Sequence, residues 1–489
     1  MMNLYLLYTG GTIGSVGSPL APMTGPQFES AFDSLVLPII QSQLSGGVTV
    51  NFDYFDPTLD STNMQPSDWV LIAQRIVTNY AANNAFLVLH GTDTMAWTAS
   101  ALSFLLPGLS KPVFVTGSQL PMFYQTVDSS YQLLYNTDAL RNVLGAVEFL
   151  TYGIPEVGLY FSDTLFRGNR AVKSNASQFT AFSSPNFPAL GQYGVLPKLD
   201  DALVLPMPTE ANALDGNLAQ VTTDLTTIAD NITSKSVIVF LCFPAYYENE
   251  TTGTSLLVSM LTQLLAGTPP LTGVVFESFG EGNIPDIQQM QTLLKQMSSS
   301  GITLVDCTQV YSGDVNYNAY ATGAWLPQAG VLSGYDMTPI AALTKLIVYL
   351  ALNPTASASE IQLAMGTSQA GEMIAFYLLS GYQNEFLSPG ESLYSINGTY
   401  QFTNESAGTL ALYDVSGSTP SLVWSQNVGA EGRLVMQADC NLVFYDRDFT
   451  PLWATNTARI GTNAYFMVGN DGSLAIYDLY TNAVLYQIH

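Results

Sequence analysis

From Asn3 to about residue 375, short apolar runs alternate with segments whose apolar residues recur at helical spacing. That alternation predicts an α/β fold with a largely parallel sheet. Asn3–Tyr8, Phe86–His90 and Pro112–Thr116 read as strands, while the stretch from Pro66-Ser67-Asp68 to about Tyr80, and Thr94–Leu106, read as helices. Val237–Cys242, Gly273–Glu277 and Ile302–Val305 continue the strands, with Ile284–Ser298 a helix between the last two. Pro188–Asp201, rich in Pro and Gly, predicts a lobe boundary, giving lobes of 1–195 and 196–380. Beyond about residue 386 the period falls to two, aromatic residues multiply and turn residues recur at intervals of about 8–12 positions. Thr409–Asp414, Asn441–Asp446 and Ser473–Asp478 are three copies of one strand, each followed by a strand ending Leu422-Val423-Trp424, Pro451-Leu452-Trp453 or Val484-Leu485-Tyr486. Residues 386–489 therefore read as an all-β module of three equal units around a shared aromatic core.

Composition narrows the function. Only 10% of the 489 residues are charged, against about 25% in ordinary soluble proteins. Yet 38 Asp+Glu face 13 Lys+Arg, for a net charge of −25. Nucleic acid is excluded as a partner, because phosphate binding needs clustered cations. The apolar runs, such as Val237–Phe243, fall far short of the roughly 18 residues that span a membrane. The opening Met-Met-Asn-Leu-Tyr-Leu-Leu-Tyr has no basic region or small-residue cleavage site of a secretion signal. Cys242, Cys307 and Cys440 lie far apart, and of the two histidines, His90 and His489, the terminal one is expected to fray. Neither a metal site nor a His-based triad is expected, and no cofactor motif is present.

Chemistry concentrates at two strand ends. The first strand runs into Thr9-Gly10-Gly11-Thr12-Ile13-Gly14 and the second into His90-Gly91-Thr92-Asp93-Thr94. Each sets a small hydroxyl at the carboxyl end of a parallel strand, where open α/β sheets bind ligands. Asp93 reads equally well as a helix N-cap. A hydroxyl needs a base to become a nucleophile, and with no usable His that base is a Lys, a carboxylate or an activated water. Six lysines exist, and Lys173 follows Arg167-Gly168-Asn169-Arg170, the densest cationic cluster in the chain, which composition alone would read as a solvated patch.

The segment His90–Pro121 together with TGGTIG at Thr9–Gly14 resembles the bacterial-type L-asparaginases, closest to the type I branch. The resemblance runs on through RGNRAVK (Arg167–Lys173), AFSSPNFPAL (Ala181–Leu190), YATG (Tyr320–Gly323) and GVLSGYDMTPIAALTKL (Gly330–Leu346), covering about residues 1–375. It implies two α/β lobes and hydrolysis of L-asparagine to L-aspartate and ammonia. Thr12 would attack the side-chain amide to form an acyl-enzyme, and Thr92, Asp93 and Lys173 would support the water that resolves it. Asp93 would also hold the substrate α-amino group, with Ser61 and Thr62 at its α-carboxylate. The family is oligomeric, so the resemblance implies a homo-oligomer. An amidotransferase subunit, which must bind tRNA, is disfavoured by the ten cations of residues 1–386.

The sequence departs from that family in three places. Leu20 stands where the family has a loop Tyr, and Tyr124 is the candidate to replace it. Thr126-Val127-Asp128-Ser129 replaces Arg-x-Asp-Gly, and Val172 replaces a Thr of the type I activator site. Two readings therefore stay open: an active amidohydrolase, or an inert asparaginase-like scaffold serving as a structural, self-assembling, filament-forming or glycan-binding protein. In the module, Gln437-x-Asp439-x-Asn441-x-Val443-x-Tyr445 resembles the mannose-binding motif of bulb-type lectins, as does the lead-in at 387–400. This resemblance implies a β-prism II fold and a mannose-type glycan partner, with Gln437, Asp439, Asn441 and Tyr445 expected in a row on one face of a strand. The other two copies are degraded, holding Glu405, Thr409 and Tyr413 or Gly469, Asp471, Ser473 and Tyr477. A lectin-like module favours an extracellular or surface location, and the type I resemblance a cytoplasmic one.

Overall fold

The computed structural model describes residues 2–489 apart from 45, 202, 206, 209–211, 249–254, 316, 318–322, 367, 374–376, 381–385, 388, 390–391, 396–398, 406, 417–418, 462, 479–480 and 482. Most of YATG and parts of the 387–400 lead-in lie outside the described residues. Two compact units form: residues to 200 with 204–233, and residues 201–203 with 234–489.

The first unit is built on one eight-stranded sheet. Its strands are β1 (Met2–Gly10), β2 (Val48–Leu59), β3 (Ala85–Leu89), β4 (Val113–Thr116), β5 (Val157–Phe161), β6 (Thr164–Arg167), β7 (Gly191–Tyr193) and β8 (Pro197–Leu199), in the order β8-β7-β6-β5-β4-β3-β1-β2. The five strands β2, β1, β3, β4 and β5 are parallel; the last three turn antiparallel. Leu4 to Gly10 are buried without a break, as a central parallel strand covered on both faces requires. Around the sheet lie α1 (Gly25–Leu35), α2 (Pro66–Asn79), α3 (Met95–Leu105), α4 (Ala139–Leu150) and α5 (Leu214–Ile232). α5 follows the Pro- and Gly-rich stretch in sequence yet packs on α2 in the first unit. The Leu214 N–H donates to Gly108 O at 2.7 Å, and Asp215 pairs with Lys111 at 3.1 Å. Strands β7 and β8 fall inside the stretch expected to be a boundary.

The second unit holds a parallel sheet of β9 (Val237–Leu241), β10 (Gly273–Ser278), β11 (Thr303–Thr308) and β12 (Val331–Ser333), in that order. The helix Gln288–Ser299 buries Met290, Leu293, Leu294 and Met297 at i, i+3, i+4 and i+7 against it. The helix Pro339–Leu352 is buried nearly all round. It carries Lys345, whose ammonium pairs at 2.7 Å with Glu372, both fully buried; Glu372 also accepts from the Gln369 and Ala370 N–H groups.

The C-terminal module forms three four-stranded antiparallel sheets around one core. Ser392–Tyr394, Tyr400–Glu405, Thr409–Asp414 and Ser421–Asn427 make the first; Phe386–Leu387, Gly432–Met436, Leu442–Asp446 and Pro451–Ala454 the second; Tyr377–Leu379, Ala464–Val468, Leu474–Asp478 and Val484–Gln487 the third. The lead-in thus gives one strand to each sheet, starting at Tyr377, before the expected start at 386. The core combines Phe402, Phe444 and Phe466 with a larger aliphatic set including Leu410, Leu412, Leu434, Leu442, Leu474 and Ile476. Asn404, fully buried, donates to Leu387 O and Gly432 O at 2.8 Å and so joins two sheets. The terminal His489 is paired, its N–H donating to Leu474 O and its C=O accepting from Leu474 N–H, both at 3.2 Å. Among the described residues no helix is long and apolar enough to cross a membrane.

Asp306 on β11 lies completely buried, facing the Ser278 and Tyr317 hydroxyls. Burial pushes its carboxyl up to about 7, against a lesser lowering by those hydroxyls. The folded state then holds a proton that the unfolded chain releases above about pH 4. That contribution is present below the unfolded pKa and is lost as pH rises through 7. The expected outcome is that stability of the second unit falls between about pH 4 and 7, and that Asp306→Asn flattens the fall, by on the order of a few kcal/mol at pH 8. Urea unfolding at several pH values measures it; equal slopes for both proteins would contradict it.

Candidate active site

In the sheet order, β1 has β2 on one side and β3 on the other, so the chain leaves the carboxyl end of β1 in one direction and that of β3 in the other. Such a reversal opens a crevice where side chains from three strand ends meet. Gly10 and Gly11 have φ of 128° and 89°, a backbone only glycine adopts freely. Space demands glycine as well: a Cβ on Gly11 would lie 2.4 Å from Gly91 Cα, and one on Gly91 would lie 2.4 Å from Ser61 Oγ. The turns after β1, β2 and β3 are therefore in van der Waals contact at Gly11, Ser61 and Gly91. Thr12, half-buried, opens a single 3-10 turn, Thr12–Gly14. That turn is pinned by Gly14 N–H to Gly11 O at 3.1 Å, by the Ser15 hydroxyl to the same carbonyl at 3.1 Å, and by Tyr8 Oη to Gly14 O at 3.2 Å.

Ser61 is buried; the neighbouring Thr62 is exposed, its N–H donating to Asp60 at 3.0 Å. The Thr94 hydroxyl donates to Ser61 O at 2.7 Å and so ties the turns after β2 and β3 together. Thr92 is buried, and the Lys173 ammonium donates to its Oγ1 at 2.8 Å and to Asp93 Oδ1 at 2.7 Å. Lys173 reaches them from the two-stranded ribbon Val172–Lys173 and Phe182–Ser183. Asp93 does not cap α3: the N-cap is Thr94, no side chain caps it, and the Asp93 side chain is 56% exposed beside Lys173. The sheet end thus holds Thr92, Asp93 and Lys173 in hydrogen-bonded contact, with Ser61 tied to the same turn through Thr94 and Thr12 next to Gly11 on the adjoining strand end.

Several expectations need correcting. The Arg167–Arg170 cluster is no solvated patch, because both side chains are buried. Arg167 pairs with buried Glu156 at 2.7 Å, and both guanidinium groups lie over the Phe187 ring. His90 is fully buried, and desolvation pushes its imidazole down to about 4. With Nδ1–H donating to Gly91 O at 2.7 Å and Nε2 facing the Thr98 hydroxyl at 2.9 Å, it supports the turn as a neutral ring. Leu20 is 52% exposed on the small hairpin of Ser15–Val16 and Ala21–Pro22. The Tyr124 hydroxyl is engaged with Gln132 Oε1 at 2.5 Å. Among the described residues no group of three or more His, Cys, Asp or Glu is arranged to hold a metal ion.

In the module, Gln437, Asp439, Asn441 and Tyr445 do not share one strand. Gln437 to Asn441 form the turn between Gly432–Met436 and Leu442–Asp446, closed by Gln437 N–H to Asn441 O at 2.9 Å, with Cys440 at φ 69°. The turn folds Gln437 back, so that its Nε2 donates to Tyr445 Oη at 2.6 Å. Asn441 Oδ1 accepts from the Thr455 hydroxyl at 3.1 Å and the Thr457 N–H at 3.0 Å, and Asp439 is exposed.

The switch point of the parallel sheet, here carrying hydroxyls and a Lys–Asp pair, is where open α/β sheets bind small ligands, and similarity to known proteins gives the family. Residues 3–202 match the family Asparaginase, N-terminal, and residues 256–365 the Glutaminase/Asparaginase C-terminal domain. The chain belongs to the asparaginase family of amidohydrolases. It is 35% identical over 375 residues to L-asparaginase 1 of Escherichia coli strain K12, spanning 76% of this chain and 98% of that protein. It is 34% identical over 391 residues to the 60 kDa lysophospholipase of Mus musculus, spanning 76% of this chain and 62% of that one. The crystal structure of L-asparaginase I from Vibrio cholerae is similar at a TM-score of 0.60 and 33% identity, over 76% of this chain and 99% of that one.

The close approach of the turns makes a steric prediction. Gly91→Ala should destabilise the first unit by roughly 1–3 kcal/mol through overpacking against Ser61. Gly46→Ala, whose Cβ meets nothing within 4 Å, should change stability by less than about 0.5 kcal/mol. Denaturant unfolding decides, and equal effects would refute the packed contact.

Proposed function

We propose that this chain hydrolyses L-asparagine to L-aspartate and ammonia through a threonine nucleophile. The observation that carries the reading is the Lys173 ammonium held 2.8 Å from Thr92 Oγ1, at the sheet end that also holds Thr12. Thr12 Oγ attacks the side-chain carbonyl carbon; the tetrahedral adduct collapses, the C–N bond breaks and ammonia departs carrying the hydroxyl proton. The acyl-threonine ester is then attacked by a water whose proton passes through the Thr92 hydroxyl to the departing Thr12 oxygen, with the Lys173 charge beside it stabilising the negative charge that develops. Water oxygen stays on the product carboxylate and Thr12 regains its hydrogen. Asp93 receives the substrate ammonium, and Ser61 with Thr62 the α-carboxylate.

A second reading, an asparaginase-like scaffold without turnover, is favoured by one observation: an exposed apolar Leu20 sits where the resemblance expects a hydroxyl over the substrate. Ammonia release from L-asparagine and L-glutamine separates the two. The expected result is turnover that falls by about 10³-fold or more in Thr12→Ala and in Lys173→Met, with folding intact. Wild-type turnover equal to that of Thr12→Ala would select the scaffold.

For the module we infer one mannose-type glycan site at the Gln437–Tyr445 turn. The exposed Asp439 carboxylate accepts from sugar hydroxyls. The Asn441 carbonyl is already spent on Thr455 and Thr457, so its amide hydrogens are the group it has to offer. Asp439→Asn should abolish binding to immobilised mannose, and Asp471→Asn in the third unit should leave it unchanged. Silence of the wild type on mannose at high protein concentration would remove the site.

A further inference from the structure

Each sheet of the C-terminal module ends in an outer strand: Ser421–Asn427, Pro451–Ala454 and Val484–Gln487. Among the described residues each of these pairs on one side only. Such an edge exposes a row of N–H and C=O groups and is a template for a further strand, which proteins usually blunt. Two of the three are blunted, being four residues long, one of them opened by a proline that has no N–H to give. The third differs. Ser421–Asn427 runs for seven residues, SLVWSQN, with no proline and no charge, and exposes Leu422 by 58% and Val423 by 40%. A bulge sits at Val423, but a bulge occurs at the corresponding place in all three outer strands, so it does not protect this one in particular.

Charge identifies the occupant. On a chain of net charge −25, an acidic partner is repelled, and a basic one finds no carboxylate in this strand to pair with. What fits an uncharged, half-apolar edge is another uncharged, half-apolar strand, and the same segment of a second molecule is one. Antiparallel pairing about a twofold axis at Trp424 sets Ser421 opposite Asn427, Leu422 opposite Gln426 and Val423 opposite Ser425, with no like charges directly opposed. We propose that Ser421–Asn427 pairs antiparallel with the same strand of a second copy of this chain, joining two four-stranded sheets into one of eight. The contact is isologous and closed, so it makes a dimer through this module and not a fibre. Because the two copies repel through their net charge, the association strengthens with salt.

The test is hydrogen exchange of the full-length chain, read segment by segment across about two decades of protein concentration at low and high salt. The expected result is that amides of 421–427 slow by about tenfold or more as concentration rises, more so in high salt. Val423→Lys and, as a second variant, Ser425→Lys should keep these amides fast at every concentration, while Leu452→Lys should leave the protection unchanged. Near-ultraviolet circular dichroism checks that each variant is folded. Exchange of 421–427 that is independent of concentration, protection appearing at 451–454 or 484–487 in its place, or protection that survives both lysine variants would overturn the proposal. Because the readout is local to one strand, association through any other surface does not imitate it.

Discussion

The contact between Gly11 and Gly91 is the constraint on which the first unit depends. Parallel strands 4.8 Å apart bring their carboxyl ends close, but side chains at the turns normally hold the following loops apart. Here neither turn has a Cβ, and the loop after β2 closes on the same point through Ser61. Two consequences follow together. Thr12 and Thr92, each next to one of these glycines, are brought to the same sheet end from strands whose chains depart in opposite directions, and the Gly91 backbone beside Thr92 is buried. The glycines of TGGTIG and HGTDT are thus two halves of a single packing contact, and the threonines and aspartate that follow each are placed by it.

Scarcity of charge has a structural counterpart. With 13 cations in 489 residues, few are left to decorate the surface. Arg167 with Glu156, and Lys345 with Glu372, are buried pairs; Arg75 with Asp53 and Lys111 with Asp215 are half-buried links between elements. Removing one member of a fully buried pair leaves the other desolvated, at about 3–5 kcal/mol. The Lys173–Asp93 pair is the contrast, since its carboxylate is more than half exposed. Exposed pairs also occur elsewhere, Arg141 with Asp163 and Arg447 with Glu431, so what sets Lys173–Asp93 apart is the Thr92 hydroxyl that the same ammonium contacts.

Much of this was legible in the residue pattern, and the failures have physical causes. β1, β3, β4, α2 and α3 follow the apolar periodicity to within a residue or two, because buried parallel strands and amphipathic helices are written in hydrophobicity. β2 was missed: Val-Thr-Val-Asn-Phe-Asp-Tyr-Phe-Asp alternates with polar residues, as an edge strand must, and its Asp53 is compensated by Tyr5 and Arg75, distant in sequence. The Arg167–Arg170 cluster misled because composition counts charges without their partners, and Glu156 lies eleven positions upstream. Around the crevice the residue types Thr12, Thr92, Asp93 and Lys173 were readable, whereas the Lys173 contacts arise from a two-stranded ribbon that no local pattern announces.

The module shows the same limit in a sharper form, since a strand and a hairpin turn can share a period of two. Gln437, Asp439 and Asn441 alternate as a strand face would, yet Cys440 takes a positive φ and the segment is a turn. What reunites Gln437 with Tyr445 is the hairpin, and the first unit repeats the device without the motif: Tyr413 Oη donates to Glu405 Oε1 at 2.5 Å. In the third unit the cross-strand neighbour of Tyr477 is Tyr465, their rings stacked at 5.2 Å. The tyrosine is therefore retained in all three sheets, with three different partners, and a residue kept whatever its partner belongs to the architecture. The middle unit differs from both others at Gln437 and Asn441, where they hold Glu405 or Gly469 and Thr409 or Ser473, whereas Asp439 has a counterpart in Asp471 of the third unit, and Asn441 already serves the fold through Thr455 and Thr457. The exposed carboxylate of the turn is common to two of the three sheets, and in both it accepts at 3.0 Å from the N–H two residues on, Asn441 or Ser473, so it too belongs to the turn.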